Sequence, residues 1–168
     1  MKKLFFWTIL LLLGTQLSAV IYLKPTAQFK PRVEIAAVYI EHNENILLLH
    51  RQNNKSQGNK WGIPGGKVEK NETPLQAAIR EVKEETGYDI SKQPIEEIGT
   101  VYVEYNDNDH FVYHMFRTQL IDDPEAVKIN FKEHKGFTWV TPADGLKMDL
   151  LQDEDPCVRL AYFPEKSI

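Results

Sequence analysis

The order of segments along the chain predicts an α/β fold in which a mixed sheet is held between helices. Three observations carry that expectation: an apolar strand hairpin early in the polar part of the chain, one well-capped amphipathic helix near the middle, and further strand-like runs followed by a late helix. At 168 residues the chain suits one domain with a sizeable core, and 42% hydrophobic with 26% charged residues is the balance of a soluble globular protein.

The hairpin is read from Val33–His42, rich in β-branched and aliphatic residues, the turn cluster Asn43-Glu44-Asn45, and the apolar run Ile46–His50. The polar loop Gln52–Lys60 carries Gly58 and suits a surface excursion. Trp61-Gly62-Ile63 then leads into Pro64-Gly65-Gly66, read as a turn. The helix begins at Thr73 as N-cap, with Pro74 at N1, Gln76 completing a Thr-x-x-Gln capping box and Gly87 placed to end it. Leu75, Ala78, Ile79 and Val82 repeat at helical spacing and define its expected buried stripe. Ile95–Tyr105, Phe111–Leu120 and Phe137–Val140 read as strands, and Leu150–Tyr162 as a second helix.

The net charge of −4 leaves no basic footprint for duplex nucleic acid, so a small-molecule substrate is expected instead. Cys157, the single cysteine, has no disulfide partner within the chain and no neighbour at metal-ligand spacing; it reads as a packed core thiol. Lys2 and Lys3 followed by the apolar run from Leu4, with small residues at Ser18-Ala19, have the shape of a secretory signal peptide. Apolar character continues to Leu23, about the 20 residues an uncleaved anchor needs. The expected organisation is therefore a signal peptide or membrane anchor over 1–23, a linker over 24–32 and a folded domain over 33–165. The domain is expected to be exported or membrane-anchored, with a cytoplasmic location as the alternative.

Glu81, Glu84 and Glu85 share one face of the predicted helix. Like charges at i,i+4 repel by roughly 0.2–0.5 kcal/mol on a bare helix, so a cation is expected beside them. Solvated helices normally alternate Glu with Lys at that spacing, and here Glu81 is followed by Glu85. The surrounding run is Gly66-Lys67-Val68-Glu69-Lys70-Asn71-Glu72, then Thr73 to Ile79, then Arg80-Glu81-Val82-Lys83-Glu84-Glu85-Thr86-Gly87-Tyr88. It resembles the Nudix box, Gly-x5-Glu-x7-Arg-Glu-U-x-Glu-Glu-x-Gly-U with U bulky and aliphatic, at every fixed polar and glycine position. The one departure is Tyr88 at the last U, a packing position.

The resemblance, of the MutT-like kind, implies an α/β/α sandwich and a pyrophosphohydrolase. It implies Glu81, Glu84 and Glu85 as metal ligands and an orienting role for Glu72 and Arg80. The segment Lys132 to Trp139 is similar to one in MutT-type members, which nominates Glu133 as an extra ligand or general base beside Glu104, Asp107 and Asp109. An all-oxygen donor set favours Mg2+, with Mn2+ as a substitute, over zinc. Gly65, lacking Cβ, lets the backbone approach closely enough for its carbonyl to join the metal. Arg51 and Lys67, with Lys55 and Lys60, flank the glycine segment and are candidates for phosphate oxygens, while His110 and His114 share a strand face without a third ligand. Tyr105 stands where some dinucleoside-polyphosphate hydrolases of the family carry a tyrosine. The expected reaction is Mg2+-dependent hydrolysis of a diphosphate bond in a nucleoside triphosphate or a nucleoside diphosphate linked to a group X, by metal-activated water. The alternative is a catalytically silent nucleotide-binding or interaction module on the same fold.

Overall fold

A computed structural model describes residues 19–105, 110–121 and 123–164. In chain order its elements are β1 (Val20–Tyr22), β2 (Val33–His42), β3 (Asn45–Arg51), β4 (Trp61–Gly62), β5 (Gly65–Lys67), α1 (Pro74–Thr86), β6 (Glu96–Glu104), β7 (His110–Gln119), β8 (His134–Val140), α2 (Pro142–Gly145) and α3 (Glu154–Tyr162). The described strands form one mixed sheet in the order β1-β6-β7-β2-β3-β4, with β5 added to β2 and β8 to β3. β2 and β7 run parallel and the remaining pairs antiparallel.

Alternation along the central strands builds the layers. Ala36, Val38 and Ile40 of β2, with Leu47 and Leu49 of β3, pack against Ala77, Ala78 and Val82 of α1. Ala37, Tyr39, Ile46 and Leu48 point to the opposite face, where Cys157 and Val158 of α3 complete a second core. Covered on both faces, Ala36–Ile40 and Ile46–Leu49 are buried without a break, which is why these runs lack polar alternation. Cys157 is the core thiol expected from the sequence.

α1 begins and ends where its caps predict, with the reciprocal Thr73–Gln76 capping box at one end and Gly87 in the left-handed conformation at the other. Its buried stripe differs from expectation. Leu75 in the first turn is 38% exposed, whereas Ala77, Ala78, Val82, Glu85 and Thr86 are buried. The small alanines let the helix close on β2, and the stripe that runs through Ala78 and Val82 carries Glu85 into the interior with it. Tyr88 packs after the helix, 3% exposed, and its hydroxyl donates to the carbonyls of Asp123 and Pro124.

Three further local differences have physical causes. Gly65 and Gly66 are not a turn: they form β5, antiparallel to Ala37 and Ala36, with β-compatible φ. α3 starts at Glu154 rather than Leu150, because Leu150 bridges Trp61 and the Leu151 amide donates to the Trp61 carbonyl. The end of the apolar N-terminal run, Val20–Tyr22, is a strand on the β6 edge, with Ala19 and Ile21 against the α3-side core. In the segment read as a linker, Phe29 packs edge-on to Tyr102 and stacks on His110. Among the described residues no helix is long and apolar enough to cross a membrane, and residues 1–18, which carry the signal or anchor expectation, lie outside the described residues.

Candidate active site

A cleft of about 610 Å3 opens between the glycine strand, the carboxylate face of α1, the segment before β8 and the start of α3. Gly65, Glu81, Glu84, Glu85, Arg51, Lys67 and Glu133 all line it, whereas Lys55, Lys60 and Glu104 are not among its lining residues.

The glycines set the distance between β5 and its neighbours. A Cβ on Gly65 would stand 2.4 Å from the Ala37 Cβ and 2.6 Å from the Ala36 carbonyl oxygen; on Gly66 it would stand 2.3 Å from Glu81 Oε1. This close approach puts the Gly65 amide 2.9 Å from Glu85 Oε2, to which it donates. The other oxygen of Glu85 is 2.7 Å from His134 Nε2. Both residues are buried, and His134 Nδ1 has no hydrogen-bond partner among the described residues. A proton on Nε2 leaves Nδ1 as a bare lone pair, cheaper to bury than an orphan N–H.

Glu72 and Arg80 form the clasp that the resemblance implies. The guanidinium donates to both Glu72 oxygens at 2.7 and 3.2 Å, to Glu81 Oε1 at 2.8 Å and to the Lys67 carbonyl at 3.0 Å. One planar fork thus ties the loop, β5 and α1 together. Arg80 also lies 3.5 Å from Glu84 Oε2. Partial burial raises the Glu81 carboxyl above its ordinary value against the lowering pull of Arg80, and the charges of Glu85 and Glu84 push the same way as burial.

Backbone hydrogen bonds from Lys128 to Thr86 and from Asn130 to Glu85 lead the chain along the end of α1 and so deliver Glu133 and His134 to the cleft. Glu133 is ion-paired to Lys55 at 2.7 Å, and that hydrogen-bonded ammonium holds its carboxyl below the usual range. Arg51 lines the cleft with its Nε donating to the Ser56 carbonyl. Lys60 is paired with Asp149 at 2.5 Å and is not among the residues that line the cleft. His110 and His114 pair instead with Glu104 and Glu34. Asp107 and Asp109 lie outside the described residues.

Sequence reasoning missed the cleft's other wall. Asp153 and Glu154 line it from the start of α3, 7% and 1% exposed. Acidic residues in a first helical turn are ordinary dipole partners, so their only signal in the chain was a bland one. Tyr105 donates to Asp153 and accepts from Gln57 Nε2 at 3.2 Å, while Tyr39 donates to Glu154 at 3.0 Å. Burial lifts the Glu154 carboxyl to about 8, with the neighbouring Asp153 charge adding to the effect. The folded state therefore holds a proton that the unfolded state releases above its ordinary carboxyl value. The contribution of this group to stability is full below the ordinary carboxyl value and is lost as pH rises through about 8, at a slope approaching ~1 kcal/mol per pH unit. Glu154→Gln is expected to flatten that decline in denaturant titrations; an unchanged slope would place its source elsewhere.

Among the described residues no three His, Cys, Asp or Glu side chains close around a common point. The donor set nevertheless fits a hard divalent ion. Magnesium takes one or two carboxylates and completes its shell with water and phosphate oxygen, so a wall of carboxylates beside an open cleft suffices.

A family model for the NUDIX domain matches residues 30–161. An 8-oxo-dGTP diphosphatase of Proteus vulgaris is 41% identical over 64 residues, 38% of this chain and 57% of that protein. This chain thus matches little more than half the length of that relative. A CTP pyrophosphohydrolase of Escherichia coli K12 is 29% identical over 125 residues, 74% of this chain and 87% of that protein. Among solved structures, a MutT protein from Methanosarcina mazei Go1 superposes with a TM-score of 0.67 at 27% identity, covering 82% of this chain and 98% of the other. The matched range spans the glycine strand, the clasped helix and the carboxylate wall, and the chain belongs to the NUDIX domain family.

Proposed function

We propose that this hydrolase cleaves a diphosphate bond in a nucleoside triphosphate or a nucleoside diphosphate linked to X, with Mg2+ bound at Glu81, Glu84, Glu85 and the Gly65 carbonyl and Mn2+ as its substitute. The observation that carries this reading is the convergence of the three helical carboxylates on the same cleft as Arg51 and Lys67. A bound divalent ion would neutralise charge on the phosphoryl oxygens and lower the pKa of a water positioned to attack phosphorus.

The chain's own groups do the rest. The Gly65 amide and His134 fix the Glu85 carboxylate from two sides, so it meets the substrate without reorganising. Arg80, by gripping Glu72, Glu81 and the Lys67 carbonyl, keeps the helix at a constant distance from β5. Arg51 and Lys67 neutralise phosphate oxygens that the carboxylates would otherwise repel. Glu133, held ionised by Lys55, suits a ligand or water-orienting role better than proton abstraction, because a depressed carboxyl is a weak base. The names of the two curated relatives, a CTP pyrophosphohydrolase and an 8-oxo-dGTP diphosphatase, support a nucleotide as substrate.

A nucleotide panel with and without Mg2+ tests this, read as nucleoside monophosphate, pyrophosphate or orthophosphate release. Turnover is expected only with Mg2+ or Mn2+, and lost on chelation. Turnover that persists in chelator would overturn the metal assignment, and silence across the panel would overturn the substrate class.

A further inference from the structure

The loop between β3 and β4 is tied to two walls of the cleft by Lys55 and Gln57, which stand two residues apart. On one side Lys55 Nζ lies 2.7 Å from Glu133 Oε2, in the segment before β8. On the other the Gln57 carboxamide is held twice: Nε2 donates to the Tyr105 hydroxyl at 3.2 Å, and Oε1 accepts from the Gln152 amide at 3.0 Å, just before α3. Tyr105 in turn donates to Asp153. Between the two, the Ser56 carbonyl accepts from Arg51 Nε at 3.1 Å, and Arg51 lies within electrostatic reach of both Glu133 and Asp153. This loop shape is not a default of the chain. Gln57 and Asn59 are left-handed, with φ of 51° and 66°, and a Cβ on Gly58 would stand 2.4 Å from the Asn53 carbonyl oxygen. Such backbone persists only where the surroundings over-determine it. Here the Asn59 amide donates to the Arg51 carbonyl, the Gln52 amide to the Glu133 carbonyl, and Lys135 to the side chains of Asn53 and Asn59. A part-exposed Lys–Glu pair adds little stability by itself, so the use of this tight fold lies in where it holds its neighbours.

We propose that Lys55-Ser56-Gln57 is a crossbar that sets the positions of Glu133 and Arg51 from the far wall of the cleft, with Lys55 and Gln57 as positioning residues for hydrolysis. Lys55 fixes one oxygen of Glu133 and so orients the other. The Ser56 carbonyl fixes the Arg51 guanidinium through Nε and leaves its two terminal nitrogens for phosphate oxygens. Gln57 braces both against Tyr105 and the start of α3. A displacement of ~1 Å in groups that meet the substrate can cost about 10²-fold in rate, so the brace acts on kcat. The inference rests on the hydrolase reading above and adds two residues to its machinery.

The test uses the full chain with Gln57→Ala, Lys55→Met, the double variant and the conservative Lys55→Arg, assayed on the best nucleotide of the panel above. Each of the first two is expected to lower kcat about tenfold while KM rises no more than about threefold. Lys55→Arg keeps a cationic donor and should recover most of the rate. Because both residues act through one loop, the double variant should be no slower than the slower single variant. Losses that multiply, to about 100-fold, mean that the two act independently and overturn the crossbar. Wild-type kcat in either single variant, or Lys55→Arg as slow as Lys55→Met, overturns it too. Hydrogen exchange gives a readout that needs no turnover. The amides of Lys55 and Asn59, which donate to the Gln52 and Arg51 carbonyls, should exchange about tenfold faster in Gln57→Ala, with the amides of α1 unchanged. Equal exchange in wild type and variant overturns the crossbar even if no nucleotide is hydrolysed. A wild-type chain that is silent on the panel overturns the hydrolase reading instead.

Discussion

Replacing Glu85 by Gln is expected to lower kcat by about 10²–10⁴-fold, the range associated with loss of a positioned acid–base group, while the protein stays folded. The substitution preserves volume and one carbonyl oxygen, which can still accept from the Gly65 amide now bonded to Oε2. What it removes is the charge and the acceptor that faces His134 Nε2. The new amide can donate to that nitrogen only if the imidazole proton moves to Nδ1, which is buried without a partner. An orphan donor of that kind costs about 1–3 kcal/mol, so a modest fall in Tm should accompany the loss of turnover. Kinetics at saturating Mg2+ together with a thermal melt separate the two effects. Wild-type turnover in this variant would remove Glu85 from the reaction.

The second large effect is expected at Gly65. Adding one methyl group there drives it into backbone and Cβ atoms of Ala36 and Ala37, at 2.4 to 2.7 Å, none of which belongs to a flexible side chain. β5 must lift from β2, and overpacking of this sort costs about 1–3 kcal/mol. The same shift carries the amide away from Glu85, and a displacement of ~1 Å at a reacting centre can cost about 10²-fold in rate. Gly65→Ala should therefore lose both stability and kcat, measured by denaturant midpoint and single-turnover rate. Gly66→Ala is the informative contrast. Its methyl would meet the Glu81 carboxylate, the mobile end of a side chain, so the fold should hold while Glu81 is pushed aside. Equal stability losses at the two positions would contradict this account.

The parts of the molecule that were legible in the chain are those written in local spacing. The capping box of α1 and the strands β2 and β3 depend on residues a few places apart, and each stands where expected, while the seven fixed positions from Gly66 to Gly87 are likewise written in local spacing. The stripe of α1 was legible only in part, since helical period alone does not say that alanines at 77 and 78, rather than Leu75, meet β2. Features created by distant segments left no such trace. His134 reaches Glu85 only because the chain after β7 returns along the end of α1. Gly65 and Gly66 look like a turn until β2 is present to pair with them. Asp153 and Glu154 become a buried acid wall only when Tyr105 and Tyr39, 48 and 115 residues away, supply hydroxyls.

The short strand β1 has a practical meaning for anyone trimming this protein. The matched family domain begins at residue 30, yet Val20–Tyr22 occupy the hydrogen-bonding edge of β6 and Phe29 braces the two tyrosine and histidine rings beside it. A version cut at that boundary would leave the β6 rim bare, a template on which another copy can add itself. Self-association of such a truncated form would then report on a missing selvedge rather than on a native oligomer.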